Sequence, residues 1–178
     1  ICYANPNNPK TCFKVSRLGH DIQSRREIHY FDFLKKRNIS ADLLPEYYGY
    51  RKTKEFLIIE QELFVSDEST RAMLLGDYVK QASEQAIIRL EQKLKEIKNE
   101  MIQKNIIISD IRPANMMVLE KSNEGLKRIV FLDGFGSPEF IPLPIYCPYF
   151  GRKKIERQWA KFRRHYYNEK HRGSFHCR

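Results

Sequence analysis

The chain carries two polar stretches, Ser109-Asp110-Ile111-Arg112-Pro113-Ala114-Asn115 and Phe131-Leu132-Asp133-Gly134-Phe135-Gly136. Each follows an apolar run with strand character, and each forms a predicted loop. Loops at the ends of neighbouring strands lie side by side, so we expect Asp110, Asn115 and Asp133 to converge. Two carboxylates and an amide oxygen are hard ligands that suit Mg²⁺, and a carboxylate beside them can orient a hydroxyl group.

A purely structural explanation exists for each stretch on its own. Asp110 and Asn115 are typical turn residues whose side chains bond to nearby backbone, and Asp133-Gly134 is a common turn pair. Taken singly, these explanations are the simpler ones. Together, in this order and each after an apolar run, the two stretches favour a phosphoryl-transfer site.

The surrounding sequence predicts an α+β fold with two lobes. The predicted elements are two strands in 1–15, a helix capped by Asp21 and running to about residue 37, two strands in 45–64, a helix over 83–104, a strand at 106–108, a hairpin over 116–132 with its turn at 122–125, an extended proline-rich stretch over 138–151 and a helix over 152–167. This order places a mostly β lobe at 1–61 and a reduced, mostly helical lobe at 62–178.

Composition excludes several classes of protein. The chain has 178 residues, of which 42% are hydrophobic and 30% charged, enough apolar mass for a core and unlike a disordered, collagen-like or coiled-coil sequence. No apolar run is long enough for a membrane span. Because the chain begins at Ile1 rather than Met, we expect a segment upstream, and a removed signal peptide stays an open alternative.

The net charge of +10 is concentrated at one end of the chain. Residues 151–178 contain 10 Lys and Arg against 2 Asp and Glu, which accounts for +8 of the total. The predicted terminal helix has one apolar stripe, and the residues around it are basic: Arg152, Lys153, Arg157, Lys161, Arg163 and Arg164. The simpler interpretation is a solvated helix face with a basic tail, and the alternative is a patch that faces an acidic substrate, a phosphate, nucleic acid or a membrane surface.

The four cysteines match neither a zinc site nor a disulfide framework. They are Cys2, Cys12, Cys147 and Cys177. Cys2 and Cys12 could meet across a hairpin, but free thiols in a reducing cytoplasm are the favoured interpretation.

The two polar stretches resemble segments of protein kinases. D-I-R-P-A-N resembles the kinase catalytic loop, and L-D-G-F-G resembles the metal-binding segment that follows it, with one additional glycine. The resemblance implies ATP and Mg²⁺ as cofactors. It also implies that Asp110 is the catalytic base, that Asn115 and Asp133 are metal ligands, and that Arg112 replaces a phosphate-contacting lysine.

The kinase resemblance requires a strand lysine and a helix glutamate upstream. Lys14 in Cys12-Phe13-Lys14-Val15 supplies the first. At 100° per residue, Glu27 lies on the apolar stripe of its helix with Phe31 and Leu34. A carboxylate there is costly unless a cation meets it, so we expect a Lys14–Glu27 pair, the alternative being a surface glutamate. Glu60 and Glu62, in Glu60-Gln61-Glu62-Leu63, would form an inter-lobe hinge whose backbone groups bind adenine.

More specifically, the chain resembles the PhoP regulatory network (YrbL-type) family of small bacterial kinase-like proteins. The matching pieces are Cys2-Tyr3, 5–9, 12–15, Arg26-Glu27-Ile28, 45–49, 105–107, 110–115, 133–136, 140–143, 152–155 and Trp159. Three kinase features are missing: a Gly-rich phosphate loop, an arginine at the position of Ser109, and an Ala-Pro-Glu segment. The Gly-rich loop is either upstream of Ile1 or was never present, and without it triphosphate binding would be weaker. Ser109 argues against activation-loop control. The missing Ala-Pro-Glu segment and the minimal second lobe favour a small-molecule, lipid or sugar hydroxyl as the acceptor.

Three functions are therefore compatible with the sequence. The first is an ATP- and Mg²⁺-dependent phosphotransferase with an unidentified hydroxyl acceptor. The second is a pseudokinase-like regulatory protein that binds nucleotide without turnover. The third is a non-enzymatic binder of polyanions or nucleic acid that uses the basic tail.

Overall fold

The computed structural model of the chain describes residues 1–122, 125–138 and 143–172, and it confirms the α+β fold class. The strands are β1 (Cys2–Asn5), β2 (Asn8–Arg17), β3 (Tyr47–Lys52), β4 (Phe56–Glu62), β5 (Thr70–Leu74), β6 (Met116–Lys121) and β7 (Gly125–Phe131). The helices are α1 (Ile22–Lys36), α2 (Leu75–Gln81), α3 (Glu84–Lys104), α4 (Leu143–Tyr146) and α5 (Pro148–Arg172), with a 3₁₀ turn at Pro113–Asn115.

The strands form two antiparallel sheets, one in each part of the chain. The first has the order β1-β2-β4-β3, and the second has the order β5-β6-β7. The proposed boundary at residue 61 falls inside β4, one residue before this strand ends. Strand β5 and helix α2 were not predicted. No residue of β5 is buried, and its strand conformation comes from pairing with β6. Part of the predicted turn, residues 123 and 124, lies outside the described residues.

Helix α1 lies between the first sheet and the main core. Ile28 packs against Leu57 and Ile59 of β4, whereas Phe31 and Leu34 join the large core cluster. The hydroxyl of Tyr30 accepts a hydrogen bond of 2.7 Å from the backbone N–H of Ile107. This bond fixes α1 relative to the segment that enters the first polar stretch.

The predicted cap of α1 is wrong in its detail. Asp21 occupies the N-cap position, but its carboxylate makes no capping bond. It accepts instead from Arg25 Nε at 2.7 Å and from the Gly19 N–H at 3.3 Å. The guanidinium group of Arg25 is a stronger donor than a helix N–H group, and the Asp21 carboxylate therefore binds Arg25 instead of capping the helix.

Helix α3 agrees with its predicted bounds. Ser83 Oγ caps it by accepting from the Ala86 N–H at 3.3 Å. Its buried face packs into the core through Leu90, Leu94, Ile97 and Met101. The next segment, 106–108, was predicted as a strand, but it forms only an isolated bridge between Ile108 and Phe135 in the part of the chain that is described.

The end of the chain is more helical than its prolines suggested. The extended stretch predicted over 138–151 contains α4 and the start of α5, while residues 139–142 lie outside the described part. Proline is tolerated in the first turn of a helix, where its missing N–H has no partner to lose, so Pro148 begins α5 instead of preventing it. Helix α5 spans Pro148–Arg172, beyond both predicted ends. Among the described residues, every helix is too short or too polar to cross a lipid bilayer.

Candidate active site

Lys14 and Glu27 form a buried ion pair between β2 and α1. The Lys14 Nζ lies 3.0 Å from Glu27 Oε1 and 2.8 Å from Oε2. Lys14 is paired with Ile59 in the sheet, which places its side chain on the face that α1 covers. The Glu27 side chain is only 1% exposed, so the ammonium group offsets the desolvation of its charge. The predicted contact between these two residues is therefore present.

Asp133 joins this pair from the second polar stretch. Its Oδ1 lies 3.1 Å from Lys14 Nζ and 2.6 Å from Gln23 Nε2. The backbone N–H of Gly134 donates to the same oxygen at 2.7 Å. Lys14 thus bridges a carboxylate of the first part of the chain and one of the second.

The pKa values of the three charged groups reflect their unequal burial. Burial, reinforced by a hydrogen bond with Asp133, raises the pKa of Glu27 to about 7 despite the attraction of Lys14. Burial acts in the same direction on Asp133, but a hydrogen bond with Glu27 and the charge and hydrogen bond of Lys14 outweigh it, and the pKa of Asp133 falls to about 2. Burial would lower the pKa of Lys14, yet the charge of Glu27 raises it. Glu27 is therefore the member of the cluster that titrates near neutral pH.

Backbone hydrogen bonds hold the two polar stretches side by side. The N–H and the hydroxyl of Ser109 donate to the Gly134 carbonyl at 2.7 and 2.8 Å. The Leu132 N–H donates to the Asn115 carbonyl at 2.9 Å. The expected convergence of the stretches is thus observed, and it rests on backbone contacts that hold both ends of each stretch.

The Asp110 carboxylate is held by residues of its own loop. Its Oδ2 accepts from Arg112 at 2.6 Å and from Asn115 Nδ2 at 2.9 Å. The same amide nitrogen lies 3.3 Å from the Asp110 carbonyl oxygen. Arg112 is 54% exposed, so its guanidinium group can leave Asp110 for an incoming anion at little packing cost.

Asn115 and Asp133 each keep an oxygen that could serve as a ligand for the Mg²⁺ that the kinase resemblance implies. Because Asn115 uses its amide nitrogen to bind Asp110, its side-chain oxygen stays available as a ligand. Asp133 uses Oδ1 for its three donors, and Oδ2 accepts no hydrogen bond from the described residues. Those residues contain no group of three or more His, Cys, Asp or Glu side chains placed so that they could hold a metal ion. A cation would thus have one carboxylate and one amide oxygen from the protein, which leaves room for phosphate oxygens and water.

Glu60 and Glu62 lie apart from this cluster, within β4. The Glu60 Oε1 accepts from Asn5 Nδ2 at 3.1 Å, and the Glu62 Oε1 pairs with Arg128 at 2.7 Å. The N–H groups of Glu62 and Leu63 donate to the carbonyl oxygens of Glu46 and Lys10, both at 2.9 Å. These two backbone donors are therefore engaged by other backbone carbonyl groups, and a hinge that binds adenine stays a prediction.

Gln23 is a site residue that the sequence interpretation missed. It bridges the cluster by donating to Asp133 at 2.6 Å and to Glu27 Oε1 at 3.2 Å. Its position four residues before Glu27 places it on the same helix face, and that spacing was the available signal.

Comparison with known protein families assigns the chain to one family. The family model described as "PhoP regulatory network protein YrbL" matches residues 1–167. The chain belongs to this YrbL family. It is 26% identical over 165 residues to YrbL of Escherichia coli (strain K12), an alignment that covers 90% of this chain and 78% of the relative. YrbL of Shigella flexneri matches with the same identity and the same coverage.

A separate cavity of about 880 Å³ lies away from the charged cluster of this YrbL-family chain. Its walls include Leu34, Asp42, Lys104 and Arg128, from the end of α1, the loop that follows it, α3 and β7. Arg128 donates to the carbonyl oxygens of Asp42 and Leu44, both at 2.6 Å. The polar groups there are thus largely used to hold the chain together.

Proposed function

We propose that this chain is an ATP- and Mg²⁺-dependent phosphotransferase that acts on a hydroxyl group. The observation that carries the proposal is the position of Lys14, whose ammonium group contacts both Glu27 and Asp133 beside the loop of Asp110. A cation, two carboxylates and an adjacent amide oxygen form the set of groups that phosphoryl transfer needs. A protein-kinase-like arrangement of two lobes, divided near residue 61, is part of the same proposal.

Each group of the cluster has a role in this proposal. Asn115 and Asp133 would hold Mg²⁺, which neutralises phosphate charge when bound. Lys14, kept in place by Glu27, would bind phosphate oxygens of the nucleotide. Asp110 would accept the proton of the acceptor hydroxyl as the hydroxyl oxygen bonds to the γ-phosphorus of ATP, the bond from that phosphorus to the bridging oxygen breaks, and ADP leaves. Arg112 would move from Asp110 to the transferred phosphate.

The acceptor we propose is a hydroxyl group of a small molecule, a lipid or a sugar. The support is that α4 and α5, which follow the second polar stretch, pack into the core through Ile145, Ile155 and Phe162. We place the protein in the cytoplasm, in keeping with Cys2, Cys12 and Cys147, which are free thiols. Cys177 lies outside the described residues.

A second candidate function is nucleotide binding without turnover. It is favoured by the Asp110 carboxylate, because Arg112 and Asn115 both donate to the oxygen Oδ2. An acceptor hydroxyl would have to compete with these two donors for that oxygen. The two candidate functions share the Lys14 cluster and differ only in whether Asp110 acts as the base for the acceptor hydroxyl.

The experiment that separates them compares the wild type with Asp110→Asn. In the presence of Mg²⁺, we expect both proteins to bind ATP, while transfer of radiolabelled γ-phosphate to water or to the protein itself is lost in Asp110→Asn. Asp77→Asn, on the exposed face of α2, is the matched control and should keep wild-type transfer. Equal transfer by the wild type and Asp110→Asn would refute the assigned role, and ATP binding without any wild-type transfer would favour the second candidate.

A further inference from the structure

Helix α5 has one buried side and one exposed side. Its buried side contributes four residues to the core: Ile155, Trp159, Phe162 and Tyr166. At about 100° per residue, the residues of the exposed side fall within an arc of about 120° on the opposite side. We call this side the α5 outer face, and it consists of Tyr149, Phe150, Lys153, Arg157, Lys161 and Arg164.

The α5 outer face is strongly basic. Four of its six members are cationic, and all four are exposed. The acidic residue beside them, Glu156, is neutralised by Arg152, whose Nε lies 3.0 Å from Glu156 Oε1. The positive charges of Lys153, Lys161 and Arg164 therefore lie along one exposed side of the helix.

Exposed apolar side chains lie at the beginning of the same face. Tyr149 is 61% exposed and Phe150 is 45% exposed, and Leu143 and Tyr146 of α4 are similarly exposed just before them. The Lys153 Nζ lies 4.4 Å from the centre of the Tyr149 ring, which joins the apolar group to the basic stripe. Exposed rings and aliphatic side chains next to a row of cations are costly in water alone and suit a surface that is both anionic and apolar.

We propose that the α5 outer face binds an anionic membrane surface. Lysine and arginine side chains near an anionic leaflet attract it, and aromatic side chains settle at the level of the lipid head groups. Nucleic acid is the competing partner. Single-stranded nucleic acid is bound where aromatic rings alternate with cations along a groove. Here the apolar side chains are gathered at one end and the surface is a convex helix, which favours a membrane. This inference does not depend on the phosphotransferase proposal.

The test is sedimentation of the full chain with lipid vesicles. The probe vesicles contain equal parts of phosphatidylcholine and phosphatidylglycerol, and the comparison vesicles contain phosphatidylcholine alone. We expect binding to the anionic vesicles only, and weaker binding as NaCl is raised. In the triple variant Lys153→Gln, Lys161→Gln, Arg164→Gln, the affinity should fall by about 100-fold. In Tyr149→Ser, Phe150→Ser, it should fall by about 10-fold at unchanged charge.

A matched control separates a specific face from general charge. Lys10→Gln, Lys52→Gln, Lys54→Gln removes the same charge from exposed positions of the first sheet and should reduce vesicle affinity by less than about threefold. Melting temperatures of all variants check that each is folded. Equal losses in the two triple variants, or no binding to anionic vesicles, would overturn the proposal. Binding to an oligouridylate that depends on the α5 outer face, without vesicle binding, would replace the membrane with nucleic acid.

Discussion

Gly134 lies directly against Asp110. A Cβ atom at Gly134 would be 3.0 Å from the Asp110 Cβ and 3.1 Å from its backbone nitrogen, and the φ angle of Gly134 is +83°. The additional glycine in the second polar stretch is therefore what allows that stretch to pack on the first. Its small size is a condition for the geometry of the candidate base.

Gly134→Ala should both destabilise the fold and disturb the site. The positive φ angle costs about 1 kcal/mol, and the contact with Asp110 adds about 1–2 kcal/mol by overpacking. Gly19→Ala is the matched control, because Gly19 has φ +89° but nothing within 4 Å of an added Cβ. Urea unfolding should show the larger loss for Gly134→Ala, and only this variant should lose ATP binding. Equal losses in the two variants would contradict the contact.

Glu27 should make stability depend on pH. Its pKa is raised from about 4.5 to about 7, so between these values the folded chain binds more protons than the unfolded chain. The free energy of unfolding therefore falls as pH rises through this window, by about 1–3 kcal/mol. Asp133 acts oppositely and only below about pH 4, because its pKa is lowered from 3.8 to about 2.

The check is urea unfolding of the wild type and Glu27→Gln across pH 4.5–7, where that shift operates. The loss of stability with rising pH should be smaller in Glu27→Gln, whereas Glu55→Gln, an exposed carboxylate in the β3–β4 turn, should follow the wild type. Parallel curves for the wild type and Glu27→Gln would contradict the assignment of the proton to Glu27.

Gln23→Ala should loosen Asp133. The variant removes the 2.6 Å hydrogen bond to Asp133 Oδ1. A hydrogen bond to a charged group contributes about 1.5–3 kcal/mol to stability. We expect lower stability and an ATP affinity reduced several-fold in Mg²⁺, because the ligand carboxylate is no longer held in place. Gln92→Ala, on an exposed part of α3, serves as the control and should change neither quantity. An unchanged Gln23→Ala would show that Lys14 and the Gly134 N–H hold Asp133 in place without Gln23.

Gly151→Ala should destabilise the chain although it lies in a helix. An added Cβ would overlap Asn105 Oδ1 and lie 2.8 Å from the Pro144 carbonyl oxygen. Alanine in place of glycine ordinarily stabilises a helix by about 1 kcal/mol, but overpacking here should cost about 2–3 kcal/mol net. The exposed Ala160→Gly in the same helix should cost about 1 kcal/mol. Thermal or urea unfolding measures both, and a more stable Gly151→Ala would contradict the packing of α4 on Asn105.

The sequence predicted those parts of the site that follow from a residue pattern within one segment. Glu27 on an apolar helix stripe required a cation, and the contact with Lys14 is present. Gln23 carried no such cost in the sequence, because an amide on an exposed helix position is ordinary. Its partner, Asp133, is 110 residues away, so only the folded chain brings them together.

The fold was predictable where the apolar residues recur with a strong helical period. It was less predictable where two groups compete for the same hydrogen-bonding partner. Helix α3 has both a cap and an apolar stripe, and its bounds agree with the sequence. Asp21 has the right residue type for a cap, but Arg25 competes for its carboxylate. Pro148 indicated a loop, yet a proline in the first turn of a helix is compatible with α5. The hinge at Glu60 and Glu62 stays a prediction, although the backbone N–H of Glu62 is bonded to the Glu46 carbonyl oxygen.

The most direct test of the central claim is a thermal shift by ATP in the presence and absence of Mg²⁺. For the wild type, ATP with Mg²⁺ should raise the melting temperature, and ATP without Mg²⁺ should raise it much less. Asp133→Asn should abolish the Mg²⁺-dependent part, while Asp77→Asn should retain it. No shift in the wild type, or a shift that is independent of Mg²⁺ and unaffected by Asp133→Asn, would contradict a nucleotide and metal site at Lys14, Asn115 and Asp133.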